Sequence, residues 1–215
     1  MYIYQLDRLL LRKQVDEAKD FIKGRTLDVG SGSFERYPFR SRASEYIRMD
    51  VAPGVNVDIV GRAEAIPFPD ESFDSVVSTQ VFEHVENPEK AAQEVCRVLK
   101  MGGHLLITVP QWNELHEEPH DYWRYTRYGL QALFERNGCT LIRMDPRGGY
   151  FTLKTQMNIR YAIDKYHLYT RPILGRVASR VFRILGQLAL LRDRLDTSEA
   201  NRKHTIGWCA VFKKI

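Results

Sequence analysis

The stretch Leu27-Asp28-Val29-Gly30-Ser31-Gly32 constrains the fold of this chain more than any other. A short apolar run ends in two glycines one residue apart, and glycine lets a backbone turn sharply and approach a ligand closely. Ligands of open α/β sheets sit in the crevice at the carboxyl ends of the strands, so Gly30, Ser31 and Gly32 mark a candidate binding loop. Further on, a second apolar run, Tyr46-Ile47-Arg48-Met49, ends at Asp50. A carboxylate there can accept hydrogen bonds from both hydroxyls of a ribose. The pair of features fits a nicotinamide dinucleotide as well as S-adenosylmethionine, and the glycines alone would also serve a plain strand-to-helix turn.

The rest of the chain alternates in the same way. Apolar spacing from Leu6 to Ile22 predicts an amphipathic helix within Tyr2 to Lys23, stopped by Gly24. Val55 to Ile59 reads as a third short strand and Phe73 to Ser78 as a buried one. A helix from Pro88 to Leu99 follows, then the Gly102-Gly103 turn and a strand from His104 to Val109. Tyr128 to Asn137 reads as a helix, Thr140 to Met144 as a strand, and Gly207 to Lys213 as a late antiparallel edge strand. Alternating strands and helices predict an α/β fold, a mostly parallel sheet with helices on both faces. At 215 residues the chain suits a single domain, with a core over 24–150 and a helical insertion over 151–204 before the last strand.

The stretch Gly61-Arg62-Ala63-Glu64-Ala65-Ile66-Pro67-Phe68-Pro69-Asp70-Glu71-Ser72-Phe73-Asp74 separates the two cofactor readings. Followed by Phe82-Glu83-His84-Val85 and Leu99-Lys100-Met101-Gly102-Gly103, it resembles the type-11 methyltransferase family of the class I S-adenosylmethionine-dependent superfamily. The resemblance covers about Leu27 to Tyr150. It implies a Rossmann-like seven-stranded sheet, parallel except for one strand near the C-terminus, and S-adenosylmethionine as cofactor. It also implies site roles. Asp28 would lie near the methionine amino group beside Gly30, Ser31 and Gly32, and Asp50 would bind the ribose. Ala63 would meet the adenine edge with Glu64 adjacent, while Gln80, Val81 and His84 would line the methionine side. Two positions depart from the family pattern: Phe34 replaces a third glycine, and Arg62 replaces an acid that reaches the adenine amino group. An arginine accepts no hydrogen bond, so Glu64 or backbone must serve adenine. The departures keep open a non-catalytic S-adenosylmethionine-binding module. Glu83 itself reads as a favourable charge in the first turn of a helix.

Beyond the fifth strand, residues 111–126 are dense in His, Glu, Tyr and Trp and overhang the crevice, the default place for a substrate pocket. Methyl transfer demands alignment of nucleophile, methyl and sulfur, and a hydroxyl acceptor would also gain from a base. Histidine is the side chain suited to that task near neutral pH, which makes His116 and His120 the catalytic candidates. Arg124 to Thr126 read as bracing for the following helix, with Thr126 as its cap. The spacing matches no familiar metal-ligand pattern, so no metal is expected.

The positive charge is concentrated late. Residues 151–204 hold 11 Lys/Arg against four acids, whereas the remainder holds 21 against 23. From Pro172 to Arg194, aliphatic residues recur at helical spacing while Arg176, Arg180 and Arg183 share another face. Such a helix can cover the domain, pair with a second copy, or settle on anionic lipid over 172–194. The acidic balance elsewhere speaks against nucleic acid, leaving an RNA methyltransferase as the lesser alternative to one acting on a small-molecule or lipid-linked, glycan-intermediate acceptor. Three cysteines far apart in sequence argue against a disulfide framework and suit a reducing cytoplasm. The start of the chain lacks a signal-peptide pattern, and no uncharged stretch is long enough to span a bilayer. A cytoplasmic protein, at most peripheral to a membrane, is therefore expected.

Overall fold

A computed structural model describes residues 2–33 and 37–215; Phe34 lies outside them. Seven strands form one sheet in the order β3-β2-β1-β4-β5-β7-β6. They are β1 (Arg25–Val29), β2 (Glu45–Asp50), β3 (Ile59–Val60), β4 (Phe73–Thr79), β5 (Leu99–Pro110), β6 (Cys139–Pro146) and β7 (Gly207–Lys214). Pairing is parallel from β3 through β5, and β7 runs antiparallel to both β5 and β6. Among the described residues the α-helices are α1 (Leu6–Ala18), α2 (Pro88–Val98), α3 (Arg127–Glu135), α4 (Tyr150–Lys165), α5 (Pro172–Leu195) and α6 (Glu199–Arg202).

Strand periodicity sorts the core. Val76, Leu105, Ile107, Ala210 and Phe212 face α2 and α3, while Val77, Leu106, Cys209 and Val211 face α1. Successive side chains of a strand point to opposite faces, so both sides of this sheet are covered. Helix starts follow their local chemistry. Asn87 caps α2 by accepting from the Lys90 amide, with Pro88 in the first turn, and Thr126 caps α3 by accepting from the Gly129 amide.

Three expectations change. The third strand is Ile59–Val60, because Gly54 and Asn56 turn the preceding residues. The last strand is antiparallel but central, inserted between β5 and β6, so β6 is the edge. The fifth strand starts at Leu99, since Leu99 pairs with Phe73 before a register shift. Cys96 and Cys139, remote in sequence, meet in the fold as buried free thiols whose sulfurs lie 2.8 Å apart.

The segment before β7 forms a separate layer. Ile3, Tyr4 and Leu6 pack with Ile159 and Ile163 of α4 and with Phe182 and Ala189 of α5. Around Phe182 the contact line of α5 is made of small residues: a Cβ on Gly186 would crowd the Tyr4 ring, and the Ser179 hydroxyl accepts from the Tyr4 amide at 2.9 Å. Most large aliphatics of α5 therefore point outward, among them Val177, Ile184 and Leu188. Truncating the two faces should separate them. Phe182→Ala is expected to cost about 3 kcal/mol, the usual range for a packed aromatic. Val181→Ala, one residue away and exposed, should stay within about 0.5 kcal/mol. Denaturant unfolding of the two variants checks this.

Candidate active site

The crevice is built from strand ends upward. Gly30 (φ +74°) and Gly32 (φ +61°) turn the chain after β1 in the left-handed region that only glycine enters freely. A Cβ on Gly30 would run into Val81, whereas a Cβ on Gly32 would meet nothing within 4 Å. The Gly30 and Ser31 amides donate to the Met49 carbonyl at 2.8 and 3.1 Å, and the Gly32 amide donates to Asp50 Oδ2 at 2.8 Å. Beneath them the buried Arg48 donates from Nη2 to the Ser31 and Gly32 carbonyls, at 3.1 and 2.9 Å. Tyr46 donates its hydroxyl to Asp28 Oδ2 at 2.6 Å. The loop is held on both edges, and Asp50 keeps lone pairs for further donors.

On the other side, Gln80 leaves β4 with φ +55°. Its amide donates to the Thr108 carbonyl at 2.9 Å and its side chain to Thr108 Oγ1 at 3.2 Å. The fully buried Arg147 reaches Gln80 Oε1 at 3.5 Å, Gln14 Oε1 at 3.0 Å and Asp7 Oδ1 at 2.8 Å. It links the end of β6, helix α1 and the cavity floor.

The third wall joins the turn at Phe82–His84 to the 111–126 loop. His84 donates from Nδ1 to the His120 carbonyl at 2.6 Å, and His120 Nδ1 lies 3.1 Å from the Tyr122 hydroxyl. The Tyr122 and Trp123 amides donate to the Glu83 carbonyl, and Tyr125 donates its hydroxyl to the Phe82 carbonyl. Arg124 grips Asp121 with both nitrogens at 2.6 and 2.7 Å, which holds the Asp121 carboxyl at about 2, and it also donates to the Glu114 carbonyl. Glu114 is paired in turn with Arg160 of α4. Arg124, Tyr125 and Thr126 thus brace the loop and cap α3.

These walls enclose a cavity of about 580 Å³ that includes all of Asp28, Gly30, Ser31, Gly32, Asp50, Ala63, Glu64, Gln80, Val81 and His84. His120 also lines it. His116 does not: it packs edge-on against His84, ring centres 4.8 Å apart, with its amide on Asp121. The two catalytic candidates therefore differ in access. Arg62 donates to Glu64 at 3.0 Å, so a carboxylate stays on this wall of the cavity beside the departure from the family pattern. Glu83, His84 and His116 bring donor atoms within 4.8 Å of one another, a cluster that the spacing in sequence did not point to. Sequence reading missed Tyr46, Arg48, Tyr122 and Arg147. For Arg48 a signal existed, a charge in the middle of an apolar strand, which must find buried partners.

The fold and the cavity define a Rossmann-like α/β protein with a cofactor-sized crevice at its strand ends. Residues 27–107 match the family model described as a methyltransferase domain, and over that segment the match supports a class I S-adenosylmethionine-dependent methyltransferase domain. It is 28% identical over 163 residues to malonyl-[acyl-carrier protein] O-methyltransferase of Methylococcus capsulatus, covering 66% of this chain and 59% of that protein. It is 32% identical over 136 residues to demethylmenaquinone methyltransferase of Renibacterium salmoninarum, covering 57% and 55%. The chain thus spans little more than half the length of these curated relatives. The solved structure of the [4+2]-cyclase SpnF shares the fold, with TM-score 0.61 and 19% identity over 97% of this chain and 81% of that one.

Glu83 corrects the expectation of a favourable helix-end charge. It is buried, and burial pushes its carboxyl up to about 8, against partial relief from its own backbone hydrogen bond and the Arg147 and Arg124 charges. The folded chain holds this proton more tightly than the unfolded chain, whose carboxyl titrates near 4.5. Its contribution to stability is therefore complete below about 4.5 and lost as pH rises towards about 8. Glu83→Gln should flatten that slope, on the order of 3–5 kcal/mol across the window. Unfolding free energies of both proteins, measured through this pH range, test it.

Proposed function

We propose that this chain binds S-adenosylmethionine in the cavity beside β1, β2 and β4 and methylates an acceptor held beneath the 111–126 loop. One observation carries the reading: ten positions scattered from Asp28 to His84, each named by motif, line a single cavity. The volume lies in the range of cofactor sites. The open space facing Gly32 and the carboxylate of Asp50 suit a ribose and its neighbouring atoms. When bound, the cofactor supplies an electrophilic methyl group on a sulfonium.

The protein's share is placement. Asp50 would hold the ribose, Glu64 and the Ala63 backbone the adenine, and Asp28 with Gln80 the methionine end. His84 and Tyr122 would close the wall and exclude water. His120, inside the cavity, would take the proton of a hydroxyl acceptor, while His116 behind it fixes the orientation of His84. The acceptor we favour is a small molecule or a lipid-linked intermediate. The matched relatives act on different groups, an oxygen of malonyl-[acyl-carrier protein] and demethylmenaquinone, so neither fixes the acceptor.

Calorimetry should detect S-adenosylhomocysteine and S-adenosylmethionine but not NAD; the reverse pattern defeats the proposal. Asp50→Ala removes a charged acceptor and frees the Gly32 amide, so affinity should fall by roughly 1.5–3 kcal/mol. Labelled methyl transfer into cell extract, fractionated into small molecules, lipids and RNA, identifies the acceptor class. Label appearing only in RNA would overturn the choice made here. In the labelled fraction, His120→Ala should lower incorporation by about 10²–10⁴-fold with cofactor affinity retained.

A further inference from the structure

Helix α5 presents three faces rather than two. With successive residues about 100° apart, Gly175, Phe182, Gly186 and Ala189 form the buried line. Opposite it run Ile173, Val177, Ile184, Leu188, Leu191 and Leu195, all between 50% and 78% exposed. Val181 and Leu185 widen this stripe. Between the stripe and the buried line, on one side, lie the exposed Arg176, Arg180, Arg183 and Arg194. An aliphatic row this long on a protein surface normally meets something.

We propose that α5 lies flat on an anionic lipid surface, its aliphatic stripe entering the acyl boundary and its arginine row meeting phosphate headgroups. The length fits: 24 residues make a helix of about 36 Å. Crossing the bilayer is not the mode, since no described helix is long and apolar enough to do so. The exposed Tyr166 and Tyr169, in the turn leading into α5, are residues suited to a headgroup layer.

Charge decides between lipid and a second copy of the chain. The one acid of α5, Asp193, is engaged by the amides of Gly149, Phe151 and Thr152. Among the described residues no acidic side chain pairs with Arg176, Arg180, Arg183 or Arg194. Two α5 faces brought together would therefore set arginine rows side by side with no acid of α5 to answer them. An anionic headgroup layer answers them directly. The inference stands apart from the methyl acceptor and from cofactor binding.

Sedimentation of the full chain with vesicles tests it. Vesicles of equal parts phosphatidylcholine and phosphatidylglycerol should carry the protein down, and pure phosphatidylcholine vesicles should carry far less. Added salt should release it. Arg176→Gln, Arg180→Gln and Arg183→Gln together should weaken partitioning about a hundredfold, from roughly fivefold per cation. Ile184→Asp with Leu188→Asp should abolish it. Both variants alter exposed side chains only, so thermal unfolding and S-adenosylhomocysteine affinity serve as controls and should not change. Equal binding to both vesicle types, or undiminished binding by either variant, overturns the proposal. So does a dimer in sedimentation equilibrium that Leu188→Asp splits while vesicles bind nothing.

Discussion

Two guanidinium groups buried on either side of the crevice organise this molecule. A parallel sheet leaves the carbonyl groups and loops at its strand ends in need of partners, and at a crevice no helix packs over them. Arg48 answers the glycine loop by donating to the Ser31 and Gly32 carbonyls. Arg147 answers the β4 end through Gln80 and fastens α1 through Gln14 and Asp7. Arginine suits the task because its planar fork spreads several donors over fixed directions and stays charged. Loss of either would strand polar groups that water cannot easily reach, a cost that falls first on the shape of the cavity.

The features legible in sequence were those dictated by short-range chemistry. Glycines at positive φ, a carboxylate at a strand end, the cap Thr126, and the apolar runs of β4 and β5 all express local rules. The seven-stranded, mostly parallel sheet followed from the family resemblance and is observed, with the last strand central rather than at the edge. The buried arginines were not legible because their partners lie far along the chain, as in the link from Arg147 to Asp7. The contact of Cys96 with Cys139 was hidden for the same reason. Glu83 looked like a helix-end charge until its burial was known.

Helix α5 shows a different limit. Its periodicity correctly gives a helix with one aliphatic stripe, but periodicity alone does not say which side meets the domain. The packing line is chosen by closeness of approach to Tyr4: a Cβ on Gly186 would crowd that ring, and Gly175, Phe182 and Ala189 complete the buried line. Phe182 and small residues thus took the interior, and most of the aliphatic ones were left outside.

The position of β7 has a bearing on how the molecule comes to be assembled. The strand lies between β5 and β6, so β6 has no neighbour in the sheet until residues 207–214 are available. Everything from α4 through α6 must be made before that slot is filled. During synthesis the half from β3 to β5 can pair from neighbouring segments, while β5 exposes an open edge for the whole interval. The insertion that carries α5 thereby sets the length of the delay, and any lengthening of it prolongs the period in which that edge is bare.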